Sequence, residues 1–88
     1  MNQPSYAERR KQALREEIIA AAIDVFTESG YHDAGVADIA GRVGIGSSTF
    51  YRHFDSKRAI LEEVVNTIIR RAADAFDELD SKLVLNTV

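Results

Sequence analysis

The chain has 88 residues, of which 45% are apolar and 28% charged, and its formal net charge is −3. This length allows one small domain that buries roughly 60% of its unfolded surface, and the composition is that of an ordinary soluble globular chain. The absence of cysteine excludes a disulfide framework and a thiolate metal site. The N-terminus is polar, and no run approaches the ~20 apolar residues of a membrane span. We therefore expect a cytoplasmic protein without a membrane partner.

The charges are unevenly distributed along the chain. Residues 36–58 carry four Arg and Lys against two Asp and Glu, whereas residues 1–35 carry four against six and residues 59–88 carry three against six. A net charge of −3 argues against strong nonspecific attraction to nucleic acid, since nucleic-acid-binding domains are expected to be basic. The central segment is therefore the part of the chain whose charge best suits an anionic partner.

The N-terminal third is predicted to form one long helix near residues 5–29. Ser5 followed by Glu8 fits a capping box, and Gly30 stands where a helix commonly ends in glycine. Tyr31 is expected to pack back over this end. Apolar residues at spacings of three and four form the buried stripe: Leu14, Ile18, Ala22, Val25 and Phe26.

Three basic residues, Arg9, Arg10 and Lys11, lie in the first turns of this helix. Two interpretations remain open. In one, residues 1–10 include an N-terminal arm, in which Arg10 contacts a DNA phosphate or the minor groove, as arms of three-helix DNA-binding domains do. In the other, the basic residues belong to a solvated helix end.

Residues 36–54 have the pattern of a helix-turn-helix. Apolar residues of a first short helix, 36–43, fall within one narrow arc: Val36, Ile39, Ala40 and Val43. Gly44 suits the left-handed residue that ends such a helix, because glycine has no Cβ to clash there. A second helix is expected at 47–53, with Phe50 and Phe54 pointing inward one turn apart.

The outer face of the second short helix is predicted to bind double-stranded DNA. Arg52 has a planar fork that suits the O6/N7 edge of guanine, and Ser48 and Thr49 are short enough to allow close approach to bases. Tyr51 and His53, on the two flanks, are placed to contact the phosphates that border a major groove. Arg42 is a further phosphate candidate of this basic segment. The alternative is a solvated polar face, against which stand the large exposed aromatic Tyr51 and the lack of acidic residues.

A fourth helix is predicted near residues 56–80, with Asp55 and Ser56 as its N-cap. Lys57 and Arg58 then occupy the first turn, where positive charge opposes the helix dipole at a cost of ~0.3–1 kcal/mol each. We expect Lys57 to meet a DNA phosphate at this helix start, while the role of Arg58 stays open. The alternative is that Asp55 offsets both charges and the two side chains extend into water.

The apolar stripe of this fourth helix is longer than the rest of the chain can cover. Residues from Ile60 to about Ile68 are expected to pack on the bundle, whereas Ala72 to Leu79 and then Leu83 to Leu85 have nothing in this chain to pack on. Exposed apolar stripes of this kind indicate an interface or a missing partner.

The segment VADIAGRVGIGSSTFYRHFDSKRAIL resembles the DNA-binding segment of the TetR (tetracycline-repressor) family of bacterial regulators, and the resemblance covers about residues 14 to 65. It implies a DNA-binding domain at 1–55 with the helix-turn-helix at 36–54, a connecting helix at 56–80 and a tail at 81–88. It also implies a C-terminal effector and dimerisation domain that is absent here, so that the chain would be a fragment or a naturally short form. Gly35 and Gly46 depart from the capping Ser or Thr common in the family, and Ser48 from its Gly or Pro. The residues at its usual DNA contacts are Ser47, Ser48, Thr49, Tyr51, Arg52, His53 and Lys57.

Together, these features predict an all-α fold: a homeodomain-like three-helix bundle with a helix-turn-helix, followed by a long fourth helix. The predicted function is sequence-specific binding of double-stranded DNA as part of a transcriptional regulator, of the repressor type, on an inverted-repeat operator. We expect a homodimer in a full-length form but mainly a monomer for these 88 residues, with no cofactor, metal or catalytic site. The rival hypothesis is a protein-interaction module that uses the apolar face of the fourth helix.

Overall fold

The computed structural model describes the backbone of residues 3–87 and the side chains of residues 3–84. Over that range the chain forms four helices and no strand: α1 Tyr6–Asp33, α2 Val36–Val43, α3 Ser47–His53 and α4 Lys57–Thr87. The all-α prediction is confirmed. Residues 1, 2 and 88 and the side chain of Leu85, which we expected in the apolar strip, lie outside the described residues.

The start of α1 has the predicted N-cap Ser5 but not the return hydrogen bond from the Ser5 amide to the Glu8 side chain that a full capping box requires, and its end also differs from the prediction. The Ser5 hydroxyl accepts a hydrogen bond from the Glu8 amide at 3.1 Å. Gly30 has φ 78° and ψ 158°, a conformation that is open essentially to glycine alone. The chain then resumes a short helical turn, so that α1 closes at Asp33 rather than at residue 29. The Tyr31 ring packs against Phe26, as expected, with the ring centroids 5.4 Å apart.

The turn between α2 and α3 fixes the helix-turn-helix. Gly44 adopts the left-handed conformation, with φ 85° and ψ 29°. The amides of Gly44 and Ile45 both donate to the Ala40 carbonyl at 3.0 Å, which satisfies the end of α2 and sets the direction in which the chain leaves it. Both short helices have the predicted bounds, because the chemistry that ends and starts them is local.

The core lies where all four helices meet. One fully buried side chain comes from each helix: Ile18, Ile39, Phe50 and Ile60, all with zero exposure. Burying an aliphatic or aromatic side chain of this size stabilises a fold by ~1.5–3 kcal/mol. The predicted three-helix bundle is therefore completed by the first two turns of α4, which add Ile60 and Val64 to the same core.

The predicted end of the fourth helix at residue 80 is wrong, since α4 continues to Thr87 and the segment expected as a tail is helical up to that residue. No Gly or Pro stands between Asp80 and Thr87 to end the helix, and Lys82 pairs with Glu78 one turn earlier at 3.5 Å.

Burial of α4 also stops sooner than predicted. Val64 is buried, but Ile68 is 52% exposed, since α1 packs only on the first turns of α4. From Val65 to Val84 the apolar side chains of α4 are exposed. Among the residues described, no helix is long and apolar enough to cross a membrane.

Candidate nucleic-acid interface

The helix α3 is held by two phenylalanines and presents its other side to solvent. Phe50 and Phe54 are buried, and their ring centroids lie 5.7 Å apart. Tyr51 stands edge-on to Phe50 at 5.4 Å and is half exposed. A buried anchor on one side leaves polar groups free on the other. The exposed polar residues on this other side of the helix are Ser47, Ser48 and Arg52.

Thr49 and His53 are less exposed than predicted because they face α1. Both are partly buried, and both line an open cavity of about 500 Å³ between the first turns of α1 and α3. We call this cavity the basic cleft; the polar and charged residues that line it are Arg10, Lys11, Glu17, Thr49, Arg52 and His53. Thr49 and Arg52 thus belong at once to the exposed face of α3 and to the edge of the cleft.

His53 lies in a positive environment. Burial lowers the pKa of its imidazole, and the nearby charges of Lys11, Arg15 and Arg52 lower it further. Its buried Nδ1 atom has no hydrogen-bond partner within the described part of the chain. Without DNA, the imidazole therefore favours the neutral form, whereas the phosphate contact predicted for His53 favours the charged form.

Arg10 and Arg9 lie on different sides of α1. The Arg10 guanidinium donates weakly to the Tyr6 hydroxyl at 3.4 Å and lies 5.8 Å from the centre of that ring, and it borders the basic cleft. Arg9 lines a separate cavity together with Glu8 and Glu16. Only one side of the basic first turns therefore faces α3.

Lys57 is engaged with the chain's own backbone. Its Nζ atom donates to the carbonyls of Tyr31 at 2.7 Å, His32 at 3.3 Å and Ala34 at 3.0 Å, and it lies 4.4 Å from the centre of the Tyr31 ring. An ammonium group has three donors, and here all three have partners. In this arrangement Lys57 joins the start of α4 to the end of α1, so a phosphate would have to replace at least one of these carbonyls.

Arg42 also has a partner inside the chain. It forms a two-pronged ion pair with Glu28 of α1, in which Nη1 donates to Oε1 at 2.9 Å and Nη2 donates to Oε2. The hydrogen bond from Arg42 lowers the pKa of Glu28, and the same bond raises that of Arg42, with Asp24 and Asp38 adding to the effect. The acidic surroundings make this position a poor one for a second anion.

Arg15 is a residue that sequence reasoning missed. Its guanidinium carbon lies 5.0 Å from the centre of the Phe54 ring, and its Nη2 atom pairs with Glu63 at 3.3 Å. It thus contacts the residue that ends α3 and the second turn of α4 from its place on α1. The sequence did contain a signal for this role. Arg15 lies one helical turn after Lys11 and next to the inward-facing Leu14, which places it close to the packed side of α1.

The described side chains form no cluster that could bind a metal ion. No group of three or more His, Asp or Glu residues among residues 3–84 lies close enough together to hold a metal ion.

Comparison with known proteins decides the family. The model of the tetR family of bacterial regulatory proteins matches residues 18–64, more than half of the chain. The chain belongs to this family. The match confirms the predicted resemblance and, with it, the function class of a helix-turn-helix, DNA-binding regulator of transcription.

Two relatives show how much of a tetR-family protein is present. The chain is 36% identical over 73 residues to the biofilm operon icaADBC HTH-type negative transcriptional regulator IcaR of Staphylococcus aureus (strain Newman); the match covers 83% of this chain and 36% of IcaR. It is 34% identical over 59 residues to the uncharacterized HTH-type transcriptional regulator YvdT of Bacillus subtilis (strain 168), covering 67% of this chain and 30% of YvdT. The chain thus spans about a third of the length of these relatives. No solved structure matches it significantly.

Proposed function

We propose that this tetR-family chain binds double-stranded DNA sequence-specifically by inserting α3 into the major groove. The observation that supports this most strongly is the exposed face of α3, where serine hydroxyls, an arginine and a half-exposed tyrosine stand on a helix fixed by two buried phenylalanines. A short helix held in this way presents its polar side chains from a fixed backbone.

Within this proposal the exposed residues have different roles. Arg52 reads a guanine through its two-pronged fork, and Ser47, Ser48 and Thr49 contact neighbouring base edges. Tyr51 donates to a phosphate on one border of the groove. His53 lies toward the other border, and contacts a phosphate there when it is charged.

Lys57 and Arg42 are secondary in this assignment. Their donors already have partners inside the chain, so a phosphate contact by either residue requires an exchange of partners. Their predicted phosphate contacts remain predictions.

The assembly follows from what one helix-turn-helix can cover. A single copy reads one half-site, and such domains bind as pairs whose half-sites lie one helical turn or a multiple apart. We propose an inverted-repeat operator bound by two copies, with repression as the regulatory outcome, in line with the negative regulator named among its relatives. We further propose that dimerisation and effector binding require a domain outside these 88 residues, and that the regulator acts in the cytoplasm.

A selection from random duplexes tests the proposal. The chain is fused after Val88 to a dimerising coiled coil, and bound duplexes are amplified and sequenced over several rounds. We expect one enriched inverted repeat with a fixed distance between its halves. Recovery of duplexes with no common sequence, by a fusion that is folded and dimeric, would contradict sequence-specific binding.

The same selection distinguishes sequence-specific DNA binding from the rival hypothesis, in which the chain is a protein-interaction module that uses α4. The exposed apolar residues of α4 favour that alternative, but they leave the exposed polar face of α3 unexplained. A protein-interaction module would enrich no sequence at all.

A further inference from the structure

The first turns of α1 and the end of α3 form one cationic surface. Lys11 and Arg10 from α1 line the basic cleft together with Arg52 and His53 from α3, and Glu17 is the acidic residue among its lining residues. This concentration of positive charge lies in a chain with a net charge of −3. Although the chain as a whole is negative, the side of α1 that faces α3 therefore carries an excess of positive charge.

Several basic residues outside the cleft are paired with acidic side chains, whereas the cations of the cleft are not, within the part of the chain that the structure describes. Arg15, Arg42 and Arg58 each pair with a glutamate. Lys11 and Arg52 form no ion pair with any of the residues that the structure describes. Two unpaired cations on facing elements repel each other, and an anion between them would remove that repulsion.

We infer that the basic cleft binds a DNA phosphate, with Lys11 of α1 as its main ligand and Arg52 at its edge. The inference rests on the proposed function, because the phosphate is one of the strand that borders the groove read by α3. Such a contact would clamp the duplex between two helices. It would fix the angle at which α3 enters the groove without reading any base.

Arg9 supplies a matched control for Lys11. It stands two residues earlier on the same helix and carries the same charge, but it lines a different cavity, beside Glu8 and Glu16. Arg9→Gln and Lys11→Gln therefore change the net charge equally and keep a good helix former at an exposed position. They differ in which side of α1 loses the charge.

The test is the salt dependence of binding. The dimerised chain, in its wild-type and variant forms, is titrated onto the selected duplex and onto a scrambled duplex at several salt concentrations. We expect Lys11→Gln to reduce the slope of log K against log salt by roughly 0.9 for each chain bound. Binding to both duplexes should weaken by a similar factor, with base preference unchanged. Arg9→Gln should keep the wild-type slope, and Lys11→Arg should restore it.

Three results would overturn the inference. A wild-type slope for Lys11→Gln would mean that Lys11 contacts no phosphate, and equal reductions for Lys11→Gln and Arg9→Gln would mean that net charge rather than the cleft is responsible. In both cases a wild type that still prefers the selected duplex leaves the proposed function intact. A wild type that binds both duplexes equally would contradict the proposed function as well. Circular dichroism of each variant excludes unfolding as the cause.

Discussion

Lys57 shows how a single side chain can hold two helices together. Its ammonium group donates to three backbone carbonyls at the end of α1. Hydrogen bonds to a charged donor contribute more to stability than neutral ones, and the part-buried carbonyl of Ala34 would lose its protein partner if the ammonium were removed. We therefore assign Lys57 a structural role in the DNA-free chain.

Lys57→Met should lower the free energy of unfolding by about 1–3 kcal/mol, because the aliphatic stem is kept and the donors are lost. The measurement is urea unfolding followed by circular dichroism. Arg58→Gln is the control, since Arg58 is highly exposed and pairs only with Glu62 at 3.7 Å; its effect should stay within about 0.5 kcal/mol. Equal free energies of unfolding for the two variants would contradict the structural role assigned to Lys57.

His53 predicts a pH dependence of stability in the DNA-free chain. Burial and three nearby cations lower its pKa below the ordinary value of 6.5. The unfolded chain therefore takes up the proton first as pH falls, so the contribution of His53 to stability is complete above about pH 6.5 and decreases below it, until pH passes the folded pKa.

An NMR titration of the His53 ring measures this directly, and we expect a midpoint below 6.5. In the DNA complex a phosphate neighbour would favour the charged ring, so affinity should rise as pH falls, and the rise should level off only once pH has passed the lowered pKa of His53 in the free chain. A His53→Gln variant should lack the rise. A midpoint above 6.5 in the free chain would contradict the positive environment described for His53.

At the scale of the elements, the turn that joins α2 to α3 depends on one backbone conformation. Gly44 is left-handed with open space around the position of a Cβ, whereas Gly41, inside α2, is helical and also has open space. Alanine should therefore have opposite effects at the two positions. Gly44→Ala should destabilise the chain by about 1–2 kcal/mol through strain, and Gly41→Ala should stabilise it by about 0.5–1 kcal/mol.

Denaturant unfolding of both glycine variants checks the sign as well as the size of these effects. Since neither new methyl group meets a neighbour, a difference between the two variants comes from the backbone alone. Destabilisation by both substitutions to the same extent would mean that the left-handed turn does not carry the strain.

The elements also show which parts of the fold a sequence reveals. The bounds of α2 and α3 follow from residues within them or next to them, so they were predictable. The end of α4 was not, because a stop was assumed where no Gly or Pro stands between Asp80 and Thr87. Helix ends fixed by local chemistry can be predicted from the sequence, whereas those that depend on the absence of a signal are easily misplaced.

The candidate site was predictable in part for the same reason. The exposed face of α3 follows from helical spacing around Phe50 and Phe54. The partners of Arg42 and Lys57 lie 14 and 23 to 26 residues away along the chain. The cleft that joins Lys11 to His53 likewise needs the packing of α1 on α3. Contacts at such separations depend on tertiary packing, which no local pattern encodes.

At the scale of the whole molecule, the second half of α4 is the surface on which our expectation for the oligomeric state rests. Its apolar side chains are exposed, for example Ile69 at 60% and Phe76 at 71%. Charged residues interrupt this face: Arg70, Arg71, Asp74, Asp77 and Glu78. Because charged residues interrupt its apolar residues, this face is poorly suited to form a stable dimer interface. We therefore expect sedimentation to show mainly monomer at micromolar concentration, and a stable dimer there would contradict this expectation.

Valency should then limit DNA affinity. Fusing a dimerising coiled coil after Val88 should raise affinity by about 10²–10⁴ if both copies can engage at once. The gain should appear on inverted repeats and disappear when the half-sites are moved apart by half a helical turn. Tight specific binding by a proven monomer, or a fused dimer that is indifferent to spacing, would contradict this account.

The most direct test of base reading by α3 is the random-duplex selection repeated with Arg52→Ala. Arg52 is exposed on the proposed reading face, so its loss should cost about 1–3 kcal/mol on the preferred site and relax the base preference at one position of each half-site. The other positions should keep their preference, because the remaining contacts of α3 are unchanged. An Arg52→Ala selection that returns the wild-type motif at every position, with unchanged affinity, would contradict the proposed placement of α3 in the major groove.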